Sequence, residues 1–372
     1  MDKPELLVDG SRAFPEIIRA IDGAAVSVEI NMFIWRDDGI GNRMAQAVAE
    51  AADRGVQVEI SVDRYGVVLE KCEEAKRSFF HKEQTTGEKF SAALLGLMYP
   101  RTCGRGTVRD ESSPLYRRIM DHPNIRVSRD VFKADHSKYY IIDDEILFLG
   151  GVNIEDKENG RDRRGRVYGD YMAKLRGREY VRAFREKLAT GRNLREELFF
   201  GLNIKEPVRR FEMEGLYLDL INGAREELHI TMAYFSPLEP FLEAIIAAHR
   251  RGVRVTILIP EEANFQNDSN RRTMRKLLTA TKGGIGVYLS PRMLHTKLVM
   301  NEEWISFGST NITRKAFAQL NELNLFVPNS DSEFQRAMRR SVRHDLQEAR
   351  QVTRAGEIQY NRLIAFMESF VV

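Results

Sequence analysis

Two histidine–lysine pairs carry the chemistry this chain can do. His136-Ser137-Lys138 is followed by Asp143 and then by Gly150-Gly151-Val152-Asn153, and His295-Thr296-Lys297 is followed by Glu302 and Gly308-Ser309-Thr310-Asn311. Side chains of an extended strand alternate with period two, so each histidine projects from the same face as its lysine. An imidazole supplies a nucleophile or an acid–base group near neutral pH, and an ammonium supplies a fixed cation. If the copies converge, two imidazoles and two cations suit a phosphodiester whose transition state spreads negative charge over several oxygens. Asn153, Asn311 and Ser309 add neutral hydrogen-bond donors for the phosphate oxygens. No metal or other cofactor is called for, because the lysines supply the positive charge. There is also no CxxC pair, no HExxH helix and no carboxylate cluster at ligand spacing around these histidines.

A catalytic imidazole needs a carboxylate behind it to fix its tautomer and stabilise its charged form. Asp170, in Tyr168-Gly169-Asp170-Tyr171, and Glu322, in Asn321-Glu322-Leu323-Asn324, stand in equivalent places downstream of the two blocks. Asp37-Asp38 and Asp143-Asp144 read as turn residues. His81, His122, His229, His249 and His344 belong to no repeated constellation and read as structural or surface residues.

The elements that must position these residues repeat as well. Ile21-Asp22-Gly23-Ala24 returns as Ile221-Asn222-Gly223-Ala224, and each is followed by an apolar stretch, 28–35 and 228–235. Arg54-Gly55-Val56 returns as Arg251-Gly252-Val253. Each unit reads as strand, helix, glycine turn, strand and a later histidine-bearing strand, the alternation of an α/β layer fold. A period this long is a duplicated domain and not a solenoid, whose units run to roughly 20–50 residues. The expected architecture is two similar halves, 1–200 and 201–372, each a mixed β-sheet flanked by helices and related by a pseudo-two-fold axis. That makes a monomer with an internal pseudo-dimer.

With 372 residues, 43% of them hydrophobic, the chain can bury a large core. Its 57 basic against 54 acidic residues give a net charge of only +3, which argues against nucleic acid as a partner. No apolar run is long enough for a signal peptide or a membrane span, so the expected location is cytoplasmic. Cys72 and Cys103 are too few for a disulfide framework; they read as free thiols in a reducing compartment.

An insert at about 68–130 interrupts the first half where the second has a shorter connection, 261–284. Its first part, Glu70 to Glu88, is charged and reads as a solvated helix. Its second part, Phe90 to Tyr99, is apolar on nearly every side and reads as a buried helix over the cleft, with a lid that meets lipid as the alternative. Pro100, Gly104 and Gly106 then break it. Arg161-Asp162-Arg163-Arg164-Gly165-Arg166 reads as a solvated loop, or as a grip on headgroups or nucleic acid. The last ten residues, from Leu363, read as an apolar-faced helix packed on the body.

The duplicated His-x-Lys-x4-Asp pattern with its Gly-x-x-Asn sequel resembles the phospholipase D superfamily. The surrounding segments, Phe33 to Gly41, Arg54 to Asp63, Ala233-Tyr234-Phe235 and Asn321-Glu322, are similar to its bacterial cardiolipin synthase branch. The resemblance implies a phosphatidyltransferase. One histidine, the first copy's His136, attacks phosphorus to form a phosphohistidine, while His295 serves as acid and base. It further implies that Lys138, Lys297, Asn153 and Asn311 hold the phosphate. Asp170 would support His295, Glu322 would support His136, and Asp143 and Glu302 would brace the structure. The implied partners are a phosphatidylglycerol-like phospholipid, an alcohol acceptor and a membrane surface, met peripherally. A hydrolase of the same type and a metal-independent nuclease or phosphodiesterase are the alternatives. Glu302 departs from the family's usual aspartate.

Overall fold

The structure is a computed structural model that describes residues 3–72, 77–83, 85–100, 102–103, 114–129, 133–162, 164–206 and 209–371. The chain divides into two units, Met1–Arg192 and Asn193–Val372. It passes from one to the other ahead of residue 200 because Phe199–Ile204 already pairs with Glu322–Pro328 in the second sheet.

The first unit holds a seven-stranded mixed sheet, in spatial order Glu5–Val8, Tyr171–Arg176, Ile146–Gly150, Tyr139–Ile142, Ser27–Met32, Gln57–Val62 and Ile125–Ser128. The last three run parallel and the others pair antiparallel. The second unit repeats this order with Phe199–Ile204, Glu322–Pro328, Trp304–Gly308, Lys297–Asn301, Glu227–Met232, Arg254–Pro260 and Gly286–Ser290, and adds Arg210–Phe211 and Arg350–Val352 at its edges. The sequence repeat is therefore a repeat of topology.

Valine and isoleucine alternate on the central strands, and one face of each sheet builds an apolar core. In the first unit, Val28, Ile30, Val58 and Ile60 pack with Phe14, Ile17, Met44 and Val48 of helices Gly10–Asp22 and Gly39–Asp53. In the second, Ile230, Ile257 and Val299 pack with Tyr217, Phe241 and Ile245 of Met213–Gly223 and Glu239–Arg250. The opposite faces are covered by Arg178–Thr190, where Phe184 meets Tyr139, and by Glu333–Glu348, where Phe334 meets Phe307. Each helix that leads into the second parallel strand is followed by a glycine at positive φ, Gly55 at 97° and Gly252 at 90°. A side chain there would be strained, and the chain reverses within two residues.

The insert differs from its sequence reading. Between Gln57–Val62 and Ile125–Ser128 the described residues form three helices, Gly66–Cys72, Thr86–Met98 and Pro114–Met120, where those of the second unit form the single helix Asn267–Ala280. The charged stretch 70–88 is not one solvated helix. Glu70 is fully buried, its Oε1 accepts the Trp35 N–H at 3.0 Å, and His81 packs against it with Nδ1 3.6 Å from Oε2. Residues 73–76 and 84 lie outside the described residues. A capping box of Thr85 and Glu88 starts the next helix, and an Arg64–Glu88 ion pair at 2.8 Å ties it down. That helix is not buried all round either: Leu95 and Met98 face inward, while Phe90 and Leu97 are 73% and 81% exposed and Leu94 accompanies them. Gly104 and Gly106 lie outside the described residues.

Cys72 and Cys103 form a disulfide, with Cα atoms 4.7 Å apart, so their reading as free thiols is overturned. The helix that ends at Cys72 packs beside Thr86–Met98, which brings the two sulfurs together across 31 residues. The argument for a reducing compartment goes with it. Among the described residues, no helix is long and apolar enough to cross a membrane.

Candidate active site

In each unit the histidine–lysine block enters the sheet at the carboxyl end of the parallel strands, where open α/β sheets place their ligands. The histidines stand on extended chain just before the strands Tyr139–Ile142 and Lys297–Asn301. Lys297 is paired with Met232 in register, and Tyr139 with Asn31. His136, Lys138, His295 and Lys297 are all buried, the lysines completely. Lys138 Nζ donates to the His136 carbonyl, and Lys297 Nζ to that of His295, so each ammonium is folded back onto its own block. In the second unit Lys297 Nζ lies 3.0 Å from His295 Nδ1 and 3.1 Å from Nε2. In the second half the ammonium and the imidazole are therefore in contact.

An aromatic ring walls each block. Phe33 meets His136 edge-on with ring centres 4.8 Å apart, and the Lys138 ammonium lies 5.0 Å from the Phe33 ring centre. Tyr234 stands 6.3 Å from His295, its hydroxyl donating to Asn264 Oδ1 at 2.6 Å. Sequence reasoning did not assign these rings a place. Nor did it find Glu70 and Asn270, whose side chains accept the Trp35 and Phe235 N–H groups at 3.0 and 2.6 Å and so hold the loops beyond the central strands. Their signal lay in the constant offset of 200 between the members of each pair.

The asparagine turns lie beside these loops. Asn153 is buried, and among the described residues its Oδ1 has no hydrogen-bond partner. Asn311 Oδ1 accepts the Tyr234 N–H at 3.3 Å, which leaves its amide NH2 as the group it presents. Ser309 differs from its sequence reading: its hydroxyl donates to Glu322 Oε2 and accepts the Leu323 N–H at 2.9 Å, so it is engaged with the acid. Asp170 and Glu322 are equivalent by register. Gly150 pairs with Met172 and Gly308 with Asn324, each two residues past its acid. Both acids are buried.

The motif acids face away from this chemistry. Asp143 accepts the backbone N–H groups of Ala25, Val26 and Ser27 at 2.8–2.9 Å, and Glu302 those of Arg225, Glu226 and Glu227 at 2.8–3.3 Å. The extra methylene of Glu302 keeps all three bonds and lengthens two of them. Partial burial pushes both carboxyls up, but the amide donors outweigh it and hold both below the usual carboxylate range. The arginine loop closes on itself: Asp162 accepts from Arg164 N, Arg166 N and Arg166 Nε at 2.8–2.9 Å, while Arg163 lies outside the described residues.

A family model described as cardiolipin synthase, phospholipase D-like domain, matches residues 17–163 and again 217–346, one match for each half. The chain belongs to this phospholipase D-like family. This chain is an enzyme, a phospholipase D-type phosphatidyltransferase. It is 26% identical over 364 residues to cardiolipin synthase B of Escherichia coli (strain K12), covering 91% of this chain and 79% of that one. It is 24% identical over 353 residues to a cardiolipin synthase of Clostridium perfringens (strain SM101 / Type A), covering 87% and 67%. The fold is that of phosphatidylserine synthase from Haemophilus influenzae Rd KW20, with a TM-score of 0.68 at 13% identity over 98% of this chain and 91% of that one.

Proposed function

We propose that the enzyme moves a phosphatidyl group from a phosphatidylglycerol-like phospholipid to an alcohol acceptor, in the simplest case a second phosphatidylglycerol, to give cardiolipin and glycerol. The observation that carries the reading is that both halves present a buried histidine–lysine block, an asparagine turn and a register-matched acid on the same sheet topology.

In this reading His136 and His295 serve one phosphodiester in turn. The His136 ring nitrogen attacks phosphorus, a P–N bond forms, and the P–O bond to the departing glycerol breaks as His295 gives that oxygen a proton. The acceptor hydroxyl then loses its proton to His295 and attacks phosphorus, and the P–N bond breaks. Lys138, Lys297, Asn153 and Asn311 hold the phosphate oxygens as charge builds on them. Asp170 supports His295 and Glu322 supports His136. Water in place of the alcohol gives hydrolysis by the same path.

The membrane surface is met by helix Thr86–Met98. Its exposed Phe90, Leu94 and Leu97 recur at the spacing of one helical face, and the capping box, the Arg64–Glu88 pair and the disulfide hold that face outward. Phe90→Glu with Leu97→Glu then weakens sedimentation with phosphatidylglycerol vesicles and leaves turnover of a soluble short-chain substrate unchanged. Equal loss of both would make the helix a folding element instead.

The test of the reaction is mass spectrometry of lipids after incubation with phosphatidylglycerol vesicles, beside His136→Ala and a parallel single-stranded DNA digest. Cardiolipin formed by the wild type alone supports the transferase. Phosphatidic acid alone would make it a hydrolase, and intact lipid with cut DNA would make it a nuclease.

A further inference from the structure

The two small-residue turns have Gly151 against Ser309 at the position that faces the downstream acid, besides Val152 against Thr310, and that acid differs too, Asp170 against Glu322. The differences are complementary. In the first half the Tyr171 N–H donates directly to Asp170 Oδ1 at 2.8 Å. In the second half the N–H equivalent by register, that of Leu323, donates to Ser309 Oγ at 2.9 Å, and that hydroxyl donates to Glu322 Oε2. The serine is therefore inserted between a backbone amide and a carboxylate one methylene longer.

Space is matched in the same way. A Cβ on residue 151 would fall inside contact distance of the Asp170 carboxylate oxygens, so only glycine leaves room for the aspartate where it stands. Residue 309 has its side chain, and Glu322 reaches the hydroxyl instead of the space. Ser309 is completely buried and Glu322 is 1% exposed, so water does not take the place of a deleted hydroxyl without a rearrangement. A buried carboxylate held by a hydroxyl that is itself held by an amide keeps one rotamer and one direction.

We infer that Ser309 is a positioning residue for Glu322, and that Gly151 with Asp170 and Ser309 with Glu322 are matched sets that cannot be exchanged one residue at a time. The inference rests on the proposed function, in which these acids support the reacting histidines. It changes the part given to Ser309, from a donor to substrate phosphate into the device that aims the acid. It also makes the two halves unequal in the part of the site that sets histidine basicity, although their histidines and lysines are identical.

The experiment uses Ser309→Gly, Glu322→Asp and their double, and Gly151→Ser, Asp170→Glu and their double, in the full chain. Each is assayed on phosphatidylglycerol vesicles and on bis(4-nitrophenyl) phosphate, a diester that does not depend on the lipid. Each single variant is expected to lose about 10–100-fold in kcat with KM little changed, the size typical of removing an outer support of a catalytic ligand. Each double recovers at least about tenfold over its worse single, because it recreates the other half's set. Ser309→Thr, which keeps a hydroxyl, stays near wild type, whereas Ser309→Ala falls with Ser309→Gly. Should Gly151→Ser fail to fold, recovery of soluble protein in the double with Asp170→Glu supports the matched set in its place, and no recovery overturns it. Losses that multiply in the doubles, or wild-type kcat in Ser309→Ala, overturn the inference alone. A wild type that cleaves neither substrate sinks the phosphodiester reading and the inference with it.

Discussion

Acidification tests the packing of the second half through one side chain. His229 lies on strand Glu227–Met232, between the core residues Leu228 and Ile230, and so faces the other side of the sheet, beneath Arg339, Val342, Arg343 and Leu346 of helix Glu333–Glu348. It is buried, and its Nε2 meets Thr231 Oγ1 at 2.7 Å. Burial lowers its pKa to about 4, with the Glu227 carboxylate pulling weakly the other way. In the unfolded chain a histidine titrates near 6.5. As pH falls below about 6.5 the unfolded state binds a proton that the folded state refuses until about 4, so stability present above that window is lost through it. The two values give a loss of about 2 kcal/mol by pH 5 and about 3 kcal/mol by pH 4 relative to pH 7.5. Urea melts of wild type and His229→Gln across this range measure it. The groups common to both proteins cancel in the difference, and the variant's stability falls less steeply by those amounts. Parallel curves, or a His229 ring that titrates near 6.5 by NMR, would refute the argument that burial keeps it neutral.

Four further outcomes are expected. His136→Ala and His295→Ala each abolish turnover, by at least about a thousandfold, with thermal midpoints near wild type. A chelator is expected to leave the wild-type rate unchanged, since the proposed scheme takes its cationic charge from the lysines, and full activity in either variant would undo the two-histidine scheme. Cys72→Ser, or reduction of the wild type, costs about 3–4 kcal/mol by the entropy of the loop that the bond closes; equal urea midpoints with and without reductant would count against the bond. Asp143→Ala strands three backbone N–H groups that partial exposure lets water reach in part, so a loss of about 1–2 kcal/mol is expected. Because its folded pKa is depressed, that stabilisation is present above the ordinary carboxylate value near 4 and fades as pH drops through the folded value, so wild type and variant converge in acid.

What could be read from the sequence was what repeats. The two His-x-Lys blocks, the glycine turns at Gly55 and Gly252 and the acids at Asp170 and Glu322 were legible because a second copy picked each out, and the sheets carry them at matching positions. The insert has no second copy, and there local composition misled. Phe90 to Tyr99 is apolar enough to suggest a buried helix, yet which of its faces is covered depends on the helix Gly66–Cys72 beside it. Cys72 and Cys103 are paired by that same packing, which no count of cysteines contains. Glu70 looked like one charge in a solvated run. Its carboxylate is buried because it answers a backbone N–H and a histidine across the turn, contacts set by tertiary structure.

The two halves also show why a duplicated fold need not stay symmetrical. The backbone N–H after the central strand must have an acceptor once it is buried; one half answers with the carboxylate of Glu70 and the other with the amide of Asn270. The N–H after the downstream acid must have one too; one half answers with Asp170 itself and the other with Ser309, which then needs the longer Glu322 to reach it. Each solution involves at least two residues, so a single substitution passes through a state with an orphaned amide or an overfilled space, which costs about 1–3 kcal/mol. Such pairs, once set, resist drifting back to symmetry. In the proposed scheme the chemistry asks for the same histidine and lysine of both halves, while the residues behind them are free to differ as long as they differ together.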